Sequence, residues 1–375
     1  MSVSSPDTDT ERTRALRERM VTELIDSGAL TDDAWRRAFT AVPRHVLVPR
    51  FYRTNDRTVI DSANPDDEAT WLGAVYSNKT LVTQITPTDV TSSATMPGLL
   101  AKMLTAIRTN TGDNALHVGT GTGYTAALLC ERLGSNKVTT IDIDPDLSND
   151  ARTRLDHVGY TPTVVTGSGT QGYAPNAPYD AILATCALRR IPADWLAQAA
   201  PGARIVAPLA TGLIALDITG PDQASGRFLT PGGFFMPLRD TNQQDKPTTP
   251  AHGTRRDPRP TELGPLQTFY EDHLRFLLTV ALPDVSTGQH GPALEDLTIS
   301  DSAGSTARLD RTANGAFLVT EIGPRALWNE VEHLHQQWHA WGRPHRERYG
   351  LTANGENQTI WLDEPRDAPT WRLPS

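Results

Sequence analysis

The ten residues Ala-Leu-His-Val-Gly-Thr-Gly-Thr-Gly-Tyr at positions 115–124 constrain the fold more than any other stretch. An apolar run leads into glycines at alternate positions, Gly119, Gly121 and Gly123, and a helical pattern over 124–133 follows at once. The order is strand, tight turn, helix, with glycine where a side chain would block a ligand and where a positive φ is needed. The spacing selects the ligand. A dinucleotide loop has the form GxGxxG, which would put its third glycine at Tyr124; here it falls at Gly123. The shorter loop suits an adenosyl group without a pyrophosphate, as in S-adenosylmethionine. A second strand, predicted over 137–142, ends at Asp142, 21 residues after Gly121, where a carboxylate can accept from ribose hydroxyls. Thr120, Tyr124 and Ile143 flank these positions and join the expected cofactor set.

At 375 residues, with 38% hydrophobic content and 21% charge, the chain has the composition of an ordinary soluble protein long enough for two domains. Its net charge of −9 argues against a nucleic-acid backbone as partner, which would need clustered cations. Met1 to Thr10 is polar and acidic, and no apolar run approaches a membrane span, so a cytoplasmic protein without membrane association is expected. Cys130 and Cys186 form neither a disulfide framework nor the paired spacing of a zinc site, and no metal is expected.

Apolar residues at helical spacing predict a first helix through Leu16, Met20 and Leu24, stopped at Gly28, and a second capped by Thr31 and ended by Val42-Pro43. From there to Thr95 the chain reads as mostly irregular, and Pro97 then opens a further helix. Strands over 137–142, 162–166, 179–185, 203–208 and 212–218 alternate with helices over 145–157 and 192–200. The pattern is that of a doubly wound α/β sheet occupying residues 1–240. Residues 241–264, rich in proline and mixed charge, read as a linker. A smaller α+β domain is expected over 265–375, with strands over 274–282, 297–300, 316–321 and 358–362 and a helix over 324–341.

Val42-Pro43-Arg44-His45 with Val48-Pro49, the glycine loop, and Gly167-Ser168-Gly169 ahead of Tyr179-Asp180-Ala181-Ile182 together resemble the protein-L-isoaspartate O-methyltransferases over roughly residues 12–240. The resemblance implies a Rossmann-like class I methyltransferase sheet, with S-adenosylmethionine bound and S-adenosylhomocysteine released. The family's T-I-S-x-P signature corresponds to Ser93, Ala94, Thr95, Met96 and Pro97, so Thr95 stands where the family has its active-site serine. Thr95, with Ser93 nearby, is then the implied donor to one oxygen of the acceptor carboxylate; a helix N-cap is the alternative for Thr95. Thr95, the extra domain, Val75-Tyr76-Ser77 and Leu81-Val82-Thr83-Gln84 are more similar to a specialised branch that works on ribosomally made peptides, beside ATP-grasp ligases or lanthipeptide synthetases. In that branch an L-aspartate of a modified precursor peptide is methylated and closes to a succinimide. Two positions depart from the pattern: Ser168 where a Gly-Asp-Gly turn is expected to touch the adenine amine, and Asn78 where the branch often has aspartate.

Tyr76, Ser77 and Asn78 are therefore expected on the substrate side. Arg343, His345, Arg346, Arg348 and Tyr349 concentrate positive charge beside aromatics, either as a solvated face or as a dock for an acidic peptide. Two other functions stay open: repair of isoaspartate in damaged proteins, and a non-catalytic peptide-binding protein whose cofactor site has lapsed at Ser168.

Overall fold

The computed structural model describes residues 9–240, 253–290, 296–366 and 369–374. At the amino end, α1 (Glu11–Asp26) opens on Thr10, whose hydroxyl accepts from the Thr13 N–H. The cap of α2 (Asp33–Ala41) is Asp32 rather than Thr31, its carboxylate accepting from the Ala34 and Trp35 amides. Pro43 interrupts the chain, and the short α3 (Arg44–Leu47) follows. Residues 48–95, expected to be largely irregular, instead carry β1 (Arg50–Tyr52), β2 (Val59–Asp61), α4 (Glu68–Val75), β3 (Leu81–Ile85) and β4 (Val90–Ala94). The four strands form an antiparallel sheet in the order β2-β1-β3-β4. Strands this short leave no period to read. Then α5 (Pro97–Ala106) begins at Pro97, where a missing amide costs a helix nothing.

The glycine loop joins β5 (Ala115–Val118) to α6 (Tyr124–Leu133). There follow β6 (Val138–Asp142), α7 (Pro145–His157), β7 (Thr163–Thr166), β8 (Tyr179–Ala184), α8 (Ala193–Gln198) and β9 (Ala199–Leu209), the strands parallel in the order β7-β6-β5-β8-β9. β10 (Gly212–Gly220) and β11 (Gln223–Leu229) return antiparallel, so the α/β sheet is mixed. β5 and β6 are buried along their whole length because elements cover both faces. Alternation along β5 sends Leu116 and Val118 into one core and Ala115 into the other. Strand order reverses about β5, which places the ligand crevice of an open α/β sheet at its carboxyl end.

Beyond β11 the chain forms β12 (Arg259–Thr261), α9 (Pro265–Phe269), α10 (Asp272–Ala281), β13 (Val285–His290), β14 (Asp296–Asp301), β15 (Thr306–Arg311), β16 (Phe317–Ile322) and α11 (Leu327–Ala340). It ends in β17 (Tyr349–Asn354), β18 (Asn357–Leu362) and β19 (Thr370–Arg372). A five-stranded antiparallel sheet has the order β12-β16-β15-β14-β13. Part of the expected linker, residues 241–252, lies outside the described residues; β12 occupies part of the rest.

Two expectations change here. The predicted strand over 274–282 is α10, started by Glu271, whose carboxylate accepts from the His273 N–H. A short apolar run does not distinguish a buried strand from a buried helix. The unit expected over 265–375 also does not stand apart. β17 pairs with β11, from Gln223↔Asn354 to Arg227↔Gly350, and β18 and β19 extend the cofactor sheet to ten strands. Leu274, Phe276 and Trp328 share one core with Ile214 and Phe228. The open edge of β11 needs hydrogen-bond partners, and the carboxyl-terminal strands supply them. Among the described residues no helix is long and apolar enough to cross a membrane.

Candidate active site

Gly119, Gly121 and Gly123 have φ of 97°, 52° and 90°. A Cβ at Gly119 would sit 2.9 Å from the Thr185 hydroxyl, so the loop closes only around a bare backbone. Asp142 fixes its shape: one carboxylate oxygen accepts from the Gly121 N–H at 2.9 Å and the other from the Asp144 N–H at 3.1 Å. Burial raises the Asp142 pKa, and these two amide bonds pull it back. Below the loop, His117 lies 2.9 Å from the Thr140 hydroxyl and 3.1 Å from that of Thr185. Burial pushes its pKa down to about 3, so the imidazole is neutral.

A cavity of about 320 Å³ opens at the carboxyl ends of β5, β6 and β8. Gly119, Gly121, Asp142, Ile143 and Gly169 line it together with Ser92 and Ser93 of β4, the Ser92 hydroxyl lying 3.6 Å from where a Cβ on Gly121 would sit. The lining also includes Met236 to Arg239, in a strap after β11 that sequence reasoning missed. The strap is pinned by two bonds of 2.8 Å, from the Ala187 N–H to the Met236 carbonyl and from the Leu238 N–H to the Ala187 carbonyl. Its only sequence signal is the apolar run Phe-Phe-Met-Pro-Leu at 234–238. Cys186 also lines the cavity; burial first, and the Asp142 charge second, push its pKa up to about 12. A thiol that stays protonated is no nucleophile.

Ser93 borders the cavity, whereas Thr95 lies beyond its lining in the turn between β4 and α5. The Thr95 hydroxyl does not cap α5. Instead the Asn78 Oδ1 accepts from the Gly98 N–H at 2.8 Å, and Arg44 Nη2 donates to the Thr95 carbonyl at 3.2 Å. Arg44 is wholly buried, donates also to the Val75 carbonyl, and lies 5.3 Å from the Tyr124 ring centroid. Among the described residues it has no carboxylate partner.

The protein-L-isoaspartate(D-aspartate) O-methyltransferase family model matches residues 15–216, more than half of the chain. The chain belongs to this family. A protein-L-isoaspartate O-methyltransferase of Ignicoccus hospitalis is 41% identical over 195 residues, spanning 52% of this chain and 81% of the relative. One from Aeropyrum pernix is 30% identical over 254 residues, 66% and 85% of the two chains. A solved structure of a protein-L-isoaspartate O-methyltransferase superposes with a TM-score of 0.56 at 17% identity, covering 93% of this chain and 100% of that one, a likeness of fold. This methyltransferase is thus an S-adenosylmethionine-dependent carboxyl O-methyltransferase. The cavity fits that cofactor: bare backbone at Gly119 and Gly121, a carboxylate at Asp142 and an apolar side chain at Ile143.

Several residues expected at the methyltransferase site do other work. Tyr124 faces away from the cavity, edge-on to Phe39 at 6.2 Å and buried. Gly123 caps α6 in the left-handed conformation, and the Thr120 hydroxyl lies 2.8 Å from that of Thr140, under the loop. The Gly167 N–H donates to the Asp142 carbonyl at 2.8 Å, tying the following turn to β6. Tyr76 is buried with its hydroxyl 2.6 Å from His45 Nδ1, and burial pushes its pKa up to about 12. The Ser77 hydroxyl donates to the Ala74 carbonyl at 2.7 Å. Of residues 76–78, Asn78 alone reaches the start of α5, through the Gly98 amide.

The basic group at 343–349 is not one face. Arg346 is wholly buried, donating to the Thr211 carbonyl at 2.8 Å and paired with Asp272; Tyr349 is buried too. Arg348 is paired with Asp363 at 2.7 Å. Arg343, exposed, lies over the Trp338 ring at 4.9 Å and 3.8 Å from Glu271. The tight turn Arg346–Arg348 leading into β17 sends neighbouring side chains in different directions.

Proposed function

We propose that this protein methylates the free α-carboxylate of an isoaspartyl residue in a damaged protein or peptide. What supports the reading is one cavity: Ser93, of the segment that carries the family's hydroxyl signature, lines it together with Gly119, Gly121 and Asp142. Bound S-adenosylmethionine supplies an electrophilic methyl group. The acceptor, with a pKa near ~4, is already ionised, so the protein needs to supply alignment and a dry site rather than a strong base. In this reading Ser93, on the cavity lining, holds one carboxylate oxygen while the other faces the methyl carbon, and Thr95, in the turn just beyond the lining, contributes once the substrate enters. Arg44, a buried positive charge at the Thr95 carbonyl with no carboxylate partner among the described residues, favours a carboxylate there. The methyl ester is a better electrophile than the acid; attack by the following backbone nitrogen expels methanol and leaves a succinimide.

A second reading is an aspartate of a ribosomally made precursor peptide, with an ATP-grasp ligase as functional partner. It is favoured by the region beyond the family match, which builds a further cavity of about 260 Å³ lined by Phe234, Phe269 and Arg275. Phe234 is 66% exposed and only two residues from Met236 of the cofactor cavity. The test is mass spectrometry of three peptides incubated with enzyme and S-adenosylmethionine: an isoaspartyl peptide, its aspartyl twin, and a ligase-treated precursor. Gain of one methylene mass by the isoaspartyl peptide alone is expected. Gain by the precursor alone installs the second reading, and no gain by any peptide removes both.

A further inference from the structure

On α11 the residues Leu327, Trp328, Val331, Leu334 and Trp338 are buried, which fixes the helix against the core. Two histidines one turn apart stand away from that stripe: His335, partly buried, and His339, exposed. Their Nε2 atoms face each other at 3.2 Å, with ring centroids 4.5 Å apart. Between neutral rings, one N–H donates to the other's lone pair. An exposed hydrogen bond of that kind adds little that water would not supply. The separation has a second meaning. A divalent ion held at about 2.0–2.1 Å by two imidazoles, at an angle between a right angle and the tetrahedral one, needs its nitrogens about 2.9–3.4 Å apart.

We propose that His335 and His339 chelate a zinc ion across the last turn of α11. Neutral imidazole is a common zinc ligand, and two histidines at i and i+4 on one helix face present both nitrogens to one ion. On binding, the ring that donated carries its proton on Nδ1, and both Nε2 lone pairs go to the metal. His339 belongs to the last turn, where the carbonyl end of the helix favours a cation. The Arg343 charge reaches His335 and works against the ion; it is set against Glu271, 3.8 Å from Arg343, and a chain whose net charge is −9. Among the described residues no group of three or more histidine, cysteine or carboxylate side chains could hold a metal, so water fills the other positions and the ion exchanges freely. The cysteine spacing that spoke against a metal has no bearing on this pair. Neither histidine lines the cofactor cavity, so the ion takes no part in methyl transfer. It braces instead the turn where the Gly342 N–H donates to the His339 carbonyl at 3.0 Å, from which the chain runs on through Arg346 into β17.

Calorimetric titration with zinc chloride of the full chain, free of any affinity tag and first treated with a chelator, tests this. The wild-type protein should bind zinc at the pair, and its urea midpoint should rise with zinc concentration. His335→Gln and His339→Gln should each weaken that binding about tenfold or more and abolish the rise. Glutamine forms helix at least as well as histidine, so α11 stays folded in both. His333→Gln, on the same helix but on another side, should leave binding unchanged. Zinc affinity equal to wild type in both pair variants would overturn the assignment. So would a loss in His333→Gln as large as theirs, or a wild-type protein that binds no zinc at about 1 mM.

Discussion

Arg44 and Arg346 are both wholly buried, and they meet the cost of desolvation in different ways. Arg346, in the carboxyl-terminal half, has a counter-ion in Asp272 and a carbonyl partner in Thr211. Although burial alone would raise the Asp272 pKa, the Arg346 charge and the hydrogen bonds from Arg275 and Arg346 hold it below the ordinary carboxylate value. Arg44, in the amino-terminal half, has two carbonyls and an aromatic ring, and among the described residues its Nε has no partner and no acid pairs with it. A neutralised buried charge fastens two parts of a fold. An uncompensated one is expensive to fold around and leaves a field, which makes sense where an anion is to be received.

The largest test of that contrast is Arg346→Met. Removing the clamp leaves the Thr211 carbonyl without its partner and Asp272 with Arg275 alone, and should cost about 3 kcal/mol in urea unfolding, with the rate per folded molecule retained. Arg44→Met should do the reverse. Loss of the two carbonyl contacts is offset by relief of a buried charge, so stability should stay within about 1 kcal/mol while kcat falls about 100-fold, equivalent to about 2.7 kcal/mol. A destabilised Arg44→Met with normal kcat would invert the comparison.

A third test uses pH. His117 is held neutral by burial, with its pKa depressed from 6.5 to about 3, so the unfolded chain binds a proton that the folded chain refuses. Its contribution is complete above pH 6.5 and is lost as pH falls towards 3, about 2 kcal/mol between pH 7 and pH 5. Asp142, with its raised pKa, acts in the opposite sense and gains stability as pH falls through its folded value. Replacing His117 with Gln should flatten the slope of the urea midpoint between pH 7 and 5; an unchanged slope would show that other groups set it. The smallest effect belongs to Asn78→Ala, which removes the acceptor at the Gly98 amide. It should lower stability by about 1 kcal/mol and kcat a few-fold, without changing cofactor affinity.

The parts legible in the sequence are those where chemistry and local geometry coincide. Only glycine suits the loop at 119–123, Asp142 must end its strand to meet the Gly121 amide, and Pro97 can only begin a helix. What was hidden depends on partners far along the chain. Nothing local says that Tyr124 turns towards Phe39, that Arg346 points inward to Thr211, or that Leu238 closes over Gly169. The run over 274–282 supplied apolar residues without a decisive period, and tertiary packing chose the helix. Nor does anything local say that Asp240 meets the Ser168 hydroxyl, 72 positions earlier in the chain.

The ten-stranded sheet also sets a timetable. Ser225 of β11 and its neighbour Thr352 of β17 are separated by 127 residues. With synthesis at roughly 5–20 residues per second, the emerging cofactor half shows a bare strand edge for on the order of 10 s before its covering strand exists. During that interval the nascent chain is adhesive to other strands, including those of its sister chains. The carboxyl-terminal half is in this sense an internal chaperone for the methyltransferase core, arriving late and staying.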